Sequence, residues 1–244
     1  MSTTLNSVPA VGLNVGLNVG LNVGLMVPIN NTTMERELLA WLPANSSCIT
    51  LRIARGKDLL TPETMPAYRA QALSLAAQFA GRNLDVVAYG CTAAGFISGP
   101  QGDAQLAADL SAVTGTPVVT TARSMVLALQ QSQAKNIALV TPYMDAVNAQ
   151  LTAFLADGGI AVRRLNSFRA ASVEELGCIG PDAVAKLARE TMAPDCDALF
   201  IACSQLPTYD ILPGLSSEFG RPVWSSIQAT ALQSSLAARA HAAR

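Results

Sequence analysis

Histidine is almost absent from this chain: its 244 residues include one, His241, close to the C-terminus. A single histidine excludes Ser-His-Asp and Cys-His catalytic arrangements and leaves no plausible histidine-based metal site. Acid–base chemistry must therefore come from cysteine, tyrosine, aspartate or glutamate. The loops after the predicted strands contain neither G-x-G-x-x-G nor G-x-x-x-x-G-K-[ST], so neither a dinucleotide nor a nucleoside triphosphate is indicated.

Charged residues are also scarce. They make up 14% of the chain, the formal net charge is −1, and no basic cluster stands out. These values give no support to a nucleic-acid partner. The five cysteines show no C-x-x-C spacing, and a chain of this length does not need disulfides to be stable, so we expect a reduced, cytoplasmic location.

A tetrapeptide repeat, Val-Gly-Leu-Asn, runs three times from Val11 to Asn22. The segment has no basic n-region and carries Asn at every fourth position, so neither a signal peptide nor a membrane anchor is expected. We interpret residues 1–22 as a low-complexity extension. The remaining predicted units are a first half at 23–122, a second half at 123–236 and a short tail at 237–244.

Two segments of the chain resemble each other: Asp85-Val-Val-Ala-Tyr-Gly-Cys91-Thr92 and Asp197-Ala-Leu-Phe-Ile-Ala-Cys203-Ser204. In each, an Asp precedes a Cys by six positions, the residues between are mostly apolar, and a hydroxyl residue follows the thiol. Each pattern predicts a short buried parallel strand that ends in a thiol. Because the flanking segments are also alike, we expect two similar halves that bring one thiol each to a shared cleft.

The alternation of strand and helix patterns predicts an α/β fold with two pseudo-symmetric halves, each a mostly parallel four-stranded sheet flanked by helices. A Gly/Ser/Pro-rich loop is predicted at 95–102, followed by a helix at 103–113. Ligands of such folds bind at the carboxyl ends of the strands, so we expect the active site in the cleft between the halves. The segments at that edge are 28–33, 91–95, 142–143 and 203–208.

The two strand-end thiols, Cys91 and Cys203, are the candidate reactive groups. We expect each to lie beside the N–H groups of a following helix start, which would stabilise a thiolate. Two thiols that face one cleft can divide the labour, one removing a proton or attacking carbon while the other donates a proton. Cys48, Cys178 and Cys196 lack the matched spacing, and we interpret them as structural.

Four segments carry a resemblance to a known family: Val-Pro-Ile-Asn-Asn31-Thr-Thr-Met-Glu35, Tyr-Gly-Cys91-Thr92, Thr-Pro-Tyr143-Met-Asp-Ala-Val-Asn148 and Ala-Cys203-Ser-Gln-Leu-Pro-Thr208. Over residues 23–236 the chain resembles the maleate cis–trans isomerase and arylmalonate decarboxylase family, within the aspartate/glutamate racemase superfamily. The resemblance implies cysteine chemistry without a cofactor, at a site between the halves. It also implies a homo-oligomer.

By this resemblance, Cys91 would add to the double bond of a cis-enedioate and Cys203 would protonate the adjacent carbon. Rotation about the new single bond and elimination would then release the trans isomer. Four further residues are implied as donors to the carboxylates: Asn31, Tyr143, Thr92 and Ser204. A helix cap is the other interpretation of Asn31, and the two roles are compatible.

The choice of reaction stays open. In the family's decarboxylases the first strand ends in Gly where this chain has Cys91, so the second thiol favours isomerisation or racemisation. The isomerases usually read Ala-Cys-Leu instead of Gly90-Cys91-Thr92. The isomerases also carry a carboxylate-binding Asn in a later loop, and the best match places Val173 at that position, as in the decarboxylases. Asn166 lies seven positions earlier and is an alternative to it.

The predicted function is a two-cysteine isomerase of a small carboxylate, with maleate-to-fumarate conversion as the first candidate. A racemase of an amino or aryl carboxylic acid and an arylmalonate-type decarboxylase are the enzymatic alternatives. A carboxylate-binding sensor is the non-enzymatic one. We expect no cofactor, no metal, no nucleic acid and no membrane among the partners.

Overall fold

The computed structural model of the chain describes residues 19–54 and 60–243. Its first half contains β1 (Asn22–Pro28), α1 (Met34–Trp41), β2 (Ser47–Ile53), α2 (Met65–Ala76), β3 (Val86–Tyr89), α3 (Thr92–Ile97), α4 (Gly99–Thr114), β4 (Val118–Thr120) and α5 (Thr121–Gln131). The second contains β5 (Asn136–Thr141), α6 (Asp145–Asp157), β6 (Ala161–Ser167), α7 (Val173–Gly177), α8 (Pro181–Thr191), β7 (Ala198–Ile201), α9 (Leu212–Phe219), β8 (Val223–Ser225) and α10 (Ser226–Ala242).

Each half is built on a four-stranded sheet, with strand order β2-β1-β3-β4 in the first and β6-β5-β7-β8 in the second. The strand pairs in both sheets are parallel. The central strands consist largely of buried apolar residues because helices cover both faces of each sheet. The predicted α/β fold with two pseudo-symmetric halves is confirmed.

Asp85 and Asp197 form hydrogen bonds at the starts of β3 and β7, the two strands that lead to Cys91 and Cys203. The Asp85 carboxylate accepts a hydrogen bond from the N–H of Asn22, the first residue of β1, at 2.7 Å. The Asp197 carboxylate accepts from Lys135 and Asn136, at the start of β5, at 3.0 and 2.8 Å. Each aspartate therefore fixes the alignment of two neighbouring strands at the end of the sheet opposite the thiols.

Residues 95–102 are helical, so the predicted loop at this position is wrong. α3 begins directly after Cys91 and passes into α4 with one break, at Ser98 and Gly99. Gly99 has a φ of +69°, which glycine adopts without a Cβ clash. Pro100 then lies in the first turn of α4, where a missing N–H costs little. The loop-forming residues thus make a helix–helix junction.

The last helix of each half packs on the other half. Met125 and Leu129 of α5 belong to the core around β5 and β7. Ile227 and Ala231 of α10 pack into the core that contains β1 and β3. α5 and α10 also pack against each other. The predicted division at 122/123 falls inside α5, which is grouped here with the first half because it directly follows β4. The division and the tail at 237–244 remain predictions, and α10 continues to Ala242.

Residues 1–18, which make up most of the predicted low-complexity extension, lie outside the described residues. The last copy of the repeat ends at Asn22, which begins β1. Within 19–54 and 60–243, no helix has the length and apolar character needed to cross a membrane.

Candidate active site

A cavity lies between the two halves, at the carboxyl ends of their sheets. Its volume is about 60 Å³, which is room for several water molecules. Six of the predicted site residues line it: Asn31, Cys91, Thr92, Tyr143, Cys203 and Ser204. Val173, the first residue of α7, is not among the lining residues, whereas its neighbours Ala170 and Leu176 are.

Cys91 directly precedes α3 and is 4% exposed. Its carbonyl accepts a hydrogen bond from the N–H of Gly95, in the first turn of that helix. The first N–H groups of a helix have no acceptor within it, so they give the Cys91 side chain a partly positive environment. This is the helix start that the sequence predicts for the first thiol.

Cys203 lies in a turn after β7, so the predicted helix start is wrong for this thiol: α9 begins only at Leu212. Within the turn, the Gln205 N–H donates to the Cys203 sulfur at 3.4 Å. Burial raises the pKa of the Cys203 thiol, while the Gln205 N–H and the Tyr143 hydroxyl lower it. The two thiols therefore lie in different electrostatic surroundings.

Tyr143 lines the cavity in contact with α3. Its carbonyl accepts a hydrogen bond from Asn148 at 2.9 Å, and its ring packs edge-to-face on Phe96 with centroids 5.4 Å apart. The buried hydroxyl has Cys203 and Thr92 as polar neighbours, without a hydrogen bond of standard geometry to either. Burial and then the charge of Cys203 raise the pKa of Tyr143 well above its ordinary value, so the phenol remains a donor.

Asn31 both caps α1 and connects the halves. Its Oδ1 accepts from the N–H groups of Thr33 and Met34, at 3.1 and 2.9 Å. Its Nδ2 lies 3.1 Å from both the carbonyl and the hydroxyl oxygen of Ser204. The Ser204 hydroxyl in turn donates to the Gly90 carbonyl at 2.7 Å. The helix cap and the site position of Asn31 are therefore compatible.

Gln205 lines the cavity but is not among the residues that the sequence predicts for the site. Its side-chain amide donates to the Thr32 hydroxyl at 3.1 Å and accepts from the Thr32 N–H at 3.0 Å. Its position in the 203–208 segment, at the predicted carboxyl edge, was the available signal. Gln205 thereby connects the Cys203 turn to the loop after β1.

Glu37 is a second residue that the sequence does not predict to support the site. It is 3% exposed on α1, and its carboxylate accepts from the N–H and the hydroxyl of Thr208, each at 2.9 Å. The sequence feature that could have identified Glu37 is its place beside Leu38 on the apolar side of a predicted helix, where a charged residue needs a buried partner. Glu37 secures the end of the Cys203 loop to the opposite half.

No Lys, Arg, Asp or Glu side chain lines the cavity in the part of the chain that the structure describes. A carboxylate in it would be held by neutral donors. Arg52 supports the site from outside the cavity, because its guanidinium donates to the Asn31 carbonyl at 2.6 Å. Over residues 19–54 and 60–243, no three His, Cys, Asp or Glu residues are grouped as metal ligands would be.

Comparison with known proteins agrees with this geometry. The family model described as arylmalonate decarboxylase matches residues 23–243. The maleate isomerase of Nocardia farcinica (strain IFM 10152) is 29% identical over 214 residues, which cover 84% of this chain and 85% of that protein. The arylmalonate decarboxylase of Bordetella bronchiseptica is 29% identical over 178 residues, covering 71% and 74%.

A solved structure adds chemical information. It is a cysteine-to-serine mutant of the Nocardia farcinica maleate cis–trans isomerase with a covalently bound succinylcysteine intermediate. It matches this chain with a TM-score of 0.80 and 28% identity, and covers 88% of this chain and 93% of that one. The matches thus extend over both halves and the cavity between them. The chain is an enzyme of the maleate cis–trans isomerase and arylmalonate decarboxylase family.

Proposed function

We propose that this enzyme is a cofactor-independent isomerase that uses Cys91 and Cys203 on a small carboxylate, with the conversion of maleate to fumarate as the first candidate. One observation carries the proposal: two thiols in different surroundings line one cavity that has no charged side chain in its described wall. The succinylcysteine intermediate of the Nocardia farcinica enzyme supports covalent addition of a thiolate to the substrate.

The proposed reaction begins with attack of the Cys91 thiolate on one olefinic carbon of maleate, which forms a C–S bond. The electron pair of the double bond moves to the neighbouring carbon, and that carbon takes the proton of the Cys203 thiol. After rotation about the new single bond, the Cys203 thiolate removes a proton from the same carbon. The C–S bond then breaks, fumarate leaves, and both cysteines return to their starting states.

The surroundings of the thiols support this assignment of roles. Burial raises the pKa of Cys203, so its thiol holds a proton near neutral pH and can act as the acid. Once that proton has left, the Gln205 N–H at 3.4 Å stabilises the sulfur. Cys91 at the start of α3 is better suited to be the thiolate.

Neutral donors would hold the carboxylates. The Tyr143 hydroxyl has no hydrogen-bond partner of standard geometry and is available to a ligand. Thr92, Ser204 and Asn31 also line the cavity, and their donors would exchange the protein oxygens that they now bind for a carboxylate. In a closed site such donors stabilise charge more strongly than in water, because little solvent competes with them.

A racemase of a 2-substituted carboxylic acid is the second candidate. Its support is the apolar part of the cavity wall, formed by Leu60, Val147, Ala170 and Leu176. Such a wall would accept an apolar substituent next to the carbon that exchanges its proton. The two thiols would then remove and return that proton from opposite faces.

The test is to incubate the purified enzyme in D2O with maleate, with one enantiomer of a 2-arylpropionate, and with an arylmalonate, each without added metal or nucleotide. Proton NMR should show fumarate from maleate. Deuterium at the α-carbon with loss of optical purity would identify the racemase, and release of CO2 the decarboxylase. Turnover of none of them, with slow and unselective iodoacetamide labelling, would contradict the proposed function.

Three cysteine variants test the mechanism. Cys91→Ala should abolish turnover, and Cys203→Ala should lower kcat by about 10²- to 10⁴-fold, because each removes a reacting group. Cys196→Ala is the matched control: that thiol is also buried but does not line the cavity, so its loss should leave kcat unchanged. Full activity in either site variant would rule out the two-thiol mechanism.

A further inference from the structure

Ser226 is a buried residue outside the cavity that contacts the loops of both thiols. It is the first residue of α10, directly after β8, and has no exposed surface. Its hydroxyl oxygen accepts a hydrogen bond from the Cys203 N–H at 3.0 Å. The hydroxyl of Thr92, the residue after Cys91, lies 3.4 Å from the same oxygen.

The contacts of Ser226 belong to a longer chain of buried hydroxyl groups. The Thr230 hydroxyl, one turn along α10, donates to the Ser226 carbonyl at 2.8 Å and lies 3.3 Å from the Thr121 hydroxyl. Thr121, the first residue of α5, donates to the Tyr89 carbonyl at 3.0 Å, at the end of β3. The network thus connects the carboxyl end of one thiol strand to that of the other.

Cys203 needs support from its surroundings because its backbone is strained. Its φ is +136°, a conformation that costs a non-glycine residue about 1–3 kcal/mol and persists only where neighbouring contacts impose it. The hydrogen bond from its N–H to Ser226 is one such contact. The approach of the Gln205 N–H to the sulfur depends on the same backbone conformation.

We propose that Ser226 is a positioning residue, which holds the Cys203 backbone in its strained conformation and fixes it relative to Thr92. Ser226 does not line the cavity, so it acts through Cys203 and not on the substrate. The effect on turnover rests on the proposed two-thiol reaction. The effect on the Cys203 thiol does not depend on any substrate.

The experiment compares Ser226→Ala with Ser234→Ala. Ser234 is the matched control, because it is a buried serine on the same helix whose hydroxyl has no hydrogen-bond partner. The first measurement is the pH dependence of iodoacetamide labelling at Cys203, followed by peptide mass spectrometry. In Ser226→Ala its midpoint should move to higher pH by roughly one unit, because the sulfur loses the Gln205 N–H. Ser234→Ala should keep the wild-type midpoint.

The second measurement is the kinetics of whichever substrate the wild-type enzyme converts. Ser226→Ala should lower kcat by about 10- to 100-fold with KM within about 2-fold, since a displaced thiol affects chemistry more than binding. Circular dichroism confirms that the variant is folded. If it is too unstable, Ser226→Cys retains a side chain with a weaker acceptor and should shift the midpoint in the same direction.

An unchanged Cys203 midpoint in a folded Ser226 variant would overturn the proposal, as would an equal shift in Ser234→Ala. If the wild-type enzyme converts none of the candidate substrates, the proposed function fails, and the labelling midpoint still decides the role of Ser226.

Discussion

At the scale of single residues, Gly90 shows how packing determines the sequence at the site. A Cβ built on it would lie 2.4 Å from the Met34 sulfur and 2.8 Å from a methyl carbon of Val27. Both neighbours are buried, Met34 at the start of α1 and Val27 in β1. The isomerases of the family usually have alanine at the position of Gly90. In this chain the Met34 side chain fills the space that an alanine methyl group would need.

Gly90→Ala should lower the free energy of unfolding by about 1–3 kcal/mol, because Met34 and Val27 must move. The same substitution in a Met34→Ala background should cost less, since the clashing sulfur is gone. Urea unfolding of the four proteins of this double-mutant cycle measures the difference. An equal cost in both backgrounds would contradict the packing explanation.

Asp103 is a buried carboxyl group outside the cavity. Its Oδ2 accepts from the Thr120 hydroxyl at 2.7 Å, and its Oδ1 has no hydrogen-bond partner. Burial raises the pKa of Asp103 to about 6, although the Thr120 hydroxyl and the charge of Arg123 lower it. The folded pKa therefore lies above that of the unfolded chain, near 3.9. Ionisation of Asp103 must destabilise the fold.

Asp103→Asn should remove this pH dependence. In the wild-type protein, the contribution of Asp103 to stability is most favourable below about pH 4 and decreases as the pH rises through about 6, by about 3 kcal/mol in total. Relative to wild type, the variant should therefore be more stable at pH 8 than at pH 4.5. Urea unfolding at both pH values measures it, and a pH-independent difference would contradict the assignment.

The site residues that the sequence predicted have local signals. Cys91 and Cys203 end matched apolar strands, and Asn31 and Tyr143 follow the first strand of each half. Ser226 has no such signal, because its role depends on α10 reaching back to the turn of Cys203. Long-range contacts of this kind follow from tertiary packing and leave no pattern in the local sequence.

At the scale of elements, α1 is joined to the Cys203 loop through Glu37. The Glu37 carboxylate has three hydrogen-bonded contacts with the N–H and hydroxyl of Thr208. The edge-to-face pair of Trp41 and Tyr209, with centroids 4.9 Å apart, adds a second contact between the same two elements. The loop that follows the second thiol is thus held by a helix of the first half.

Glu37→Ala should lower the free energy of unfolding by about 2–3 kcal/mol, because the buried Thr208 N–H and hydroxyl lose a charged acceptor. Glu35→Ala, on the same helix, is the control. Its ion pair with Arg52 is 3.4 Å long and half-exposed, so its loss should cost less than about 1 kcal/mol. Chemical unfolding of both variants gives the comparison, and equal costs would show that the Thr208 contact contributes little.

The order of strands and helices was largely predictable from the sequence, because apolar runs and helical periodicity are local properties. Two elements were not. The segment 95–102 has the composition of a loop, yet α3 and α4 continue through it because Gly99 and Pro100 fit a junction. Cys203 is followed by a turn and Cys91 by a helix, although the two strands have similar sequences. The prediction of a helix start at both thiols, which relied on this similarity, is therefore wrong for Cys203.

At the scale of the whole molecule, α5 of the first half packs on the second sheet and α10 of the second half packs on the first. The core of each sheet is therefore completed by a helix of the other half. One tryptophan lies in each half: Trp41 is on α1, where its ring contacts Tyr209 of the second half, and Trp224 is on β8. The Trp224 indole donates to Ser132 at 3.2 Å, directly after α5. Because the helices cross over, we expect the halves to unfold together.

Trp41→Phe and Trp224→Phe leave one fluorescent reporter in each half. In urea, the fluorescence midpoint of each variant should coincide with its midpoint by far-UV circular dichroism, as expected for a single cooperative transition. Removal of a buried indole will lower the Trp224→Phe midpoint, so the two probes are compared within each variant. Separated midpoints would show that the halves unfold independently.

The crossing of α5 and α10 also bears on how a duplicated protein of this kind could have begun. A single half would end in a helix that packs on a sheet it does not possess, and its own sheet would lack that cover. Two identical copies that exchange their last helices would satisfy both requirements, and their symmetry axis would pass between two equivalent strand-end thiols. In a single chain the two halves need not be identical, and here Cys91 lies at a helix start whereas Cys203 lies in a strained turn.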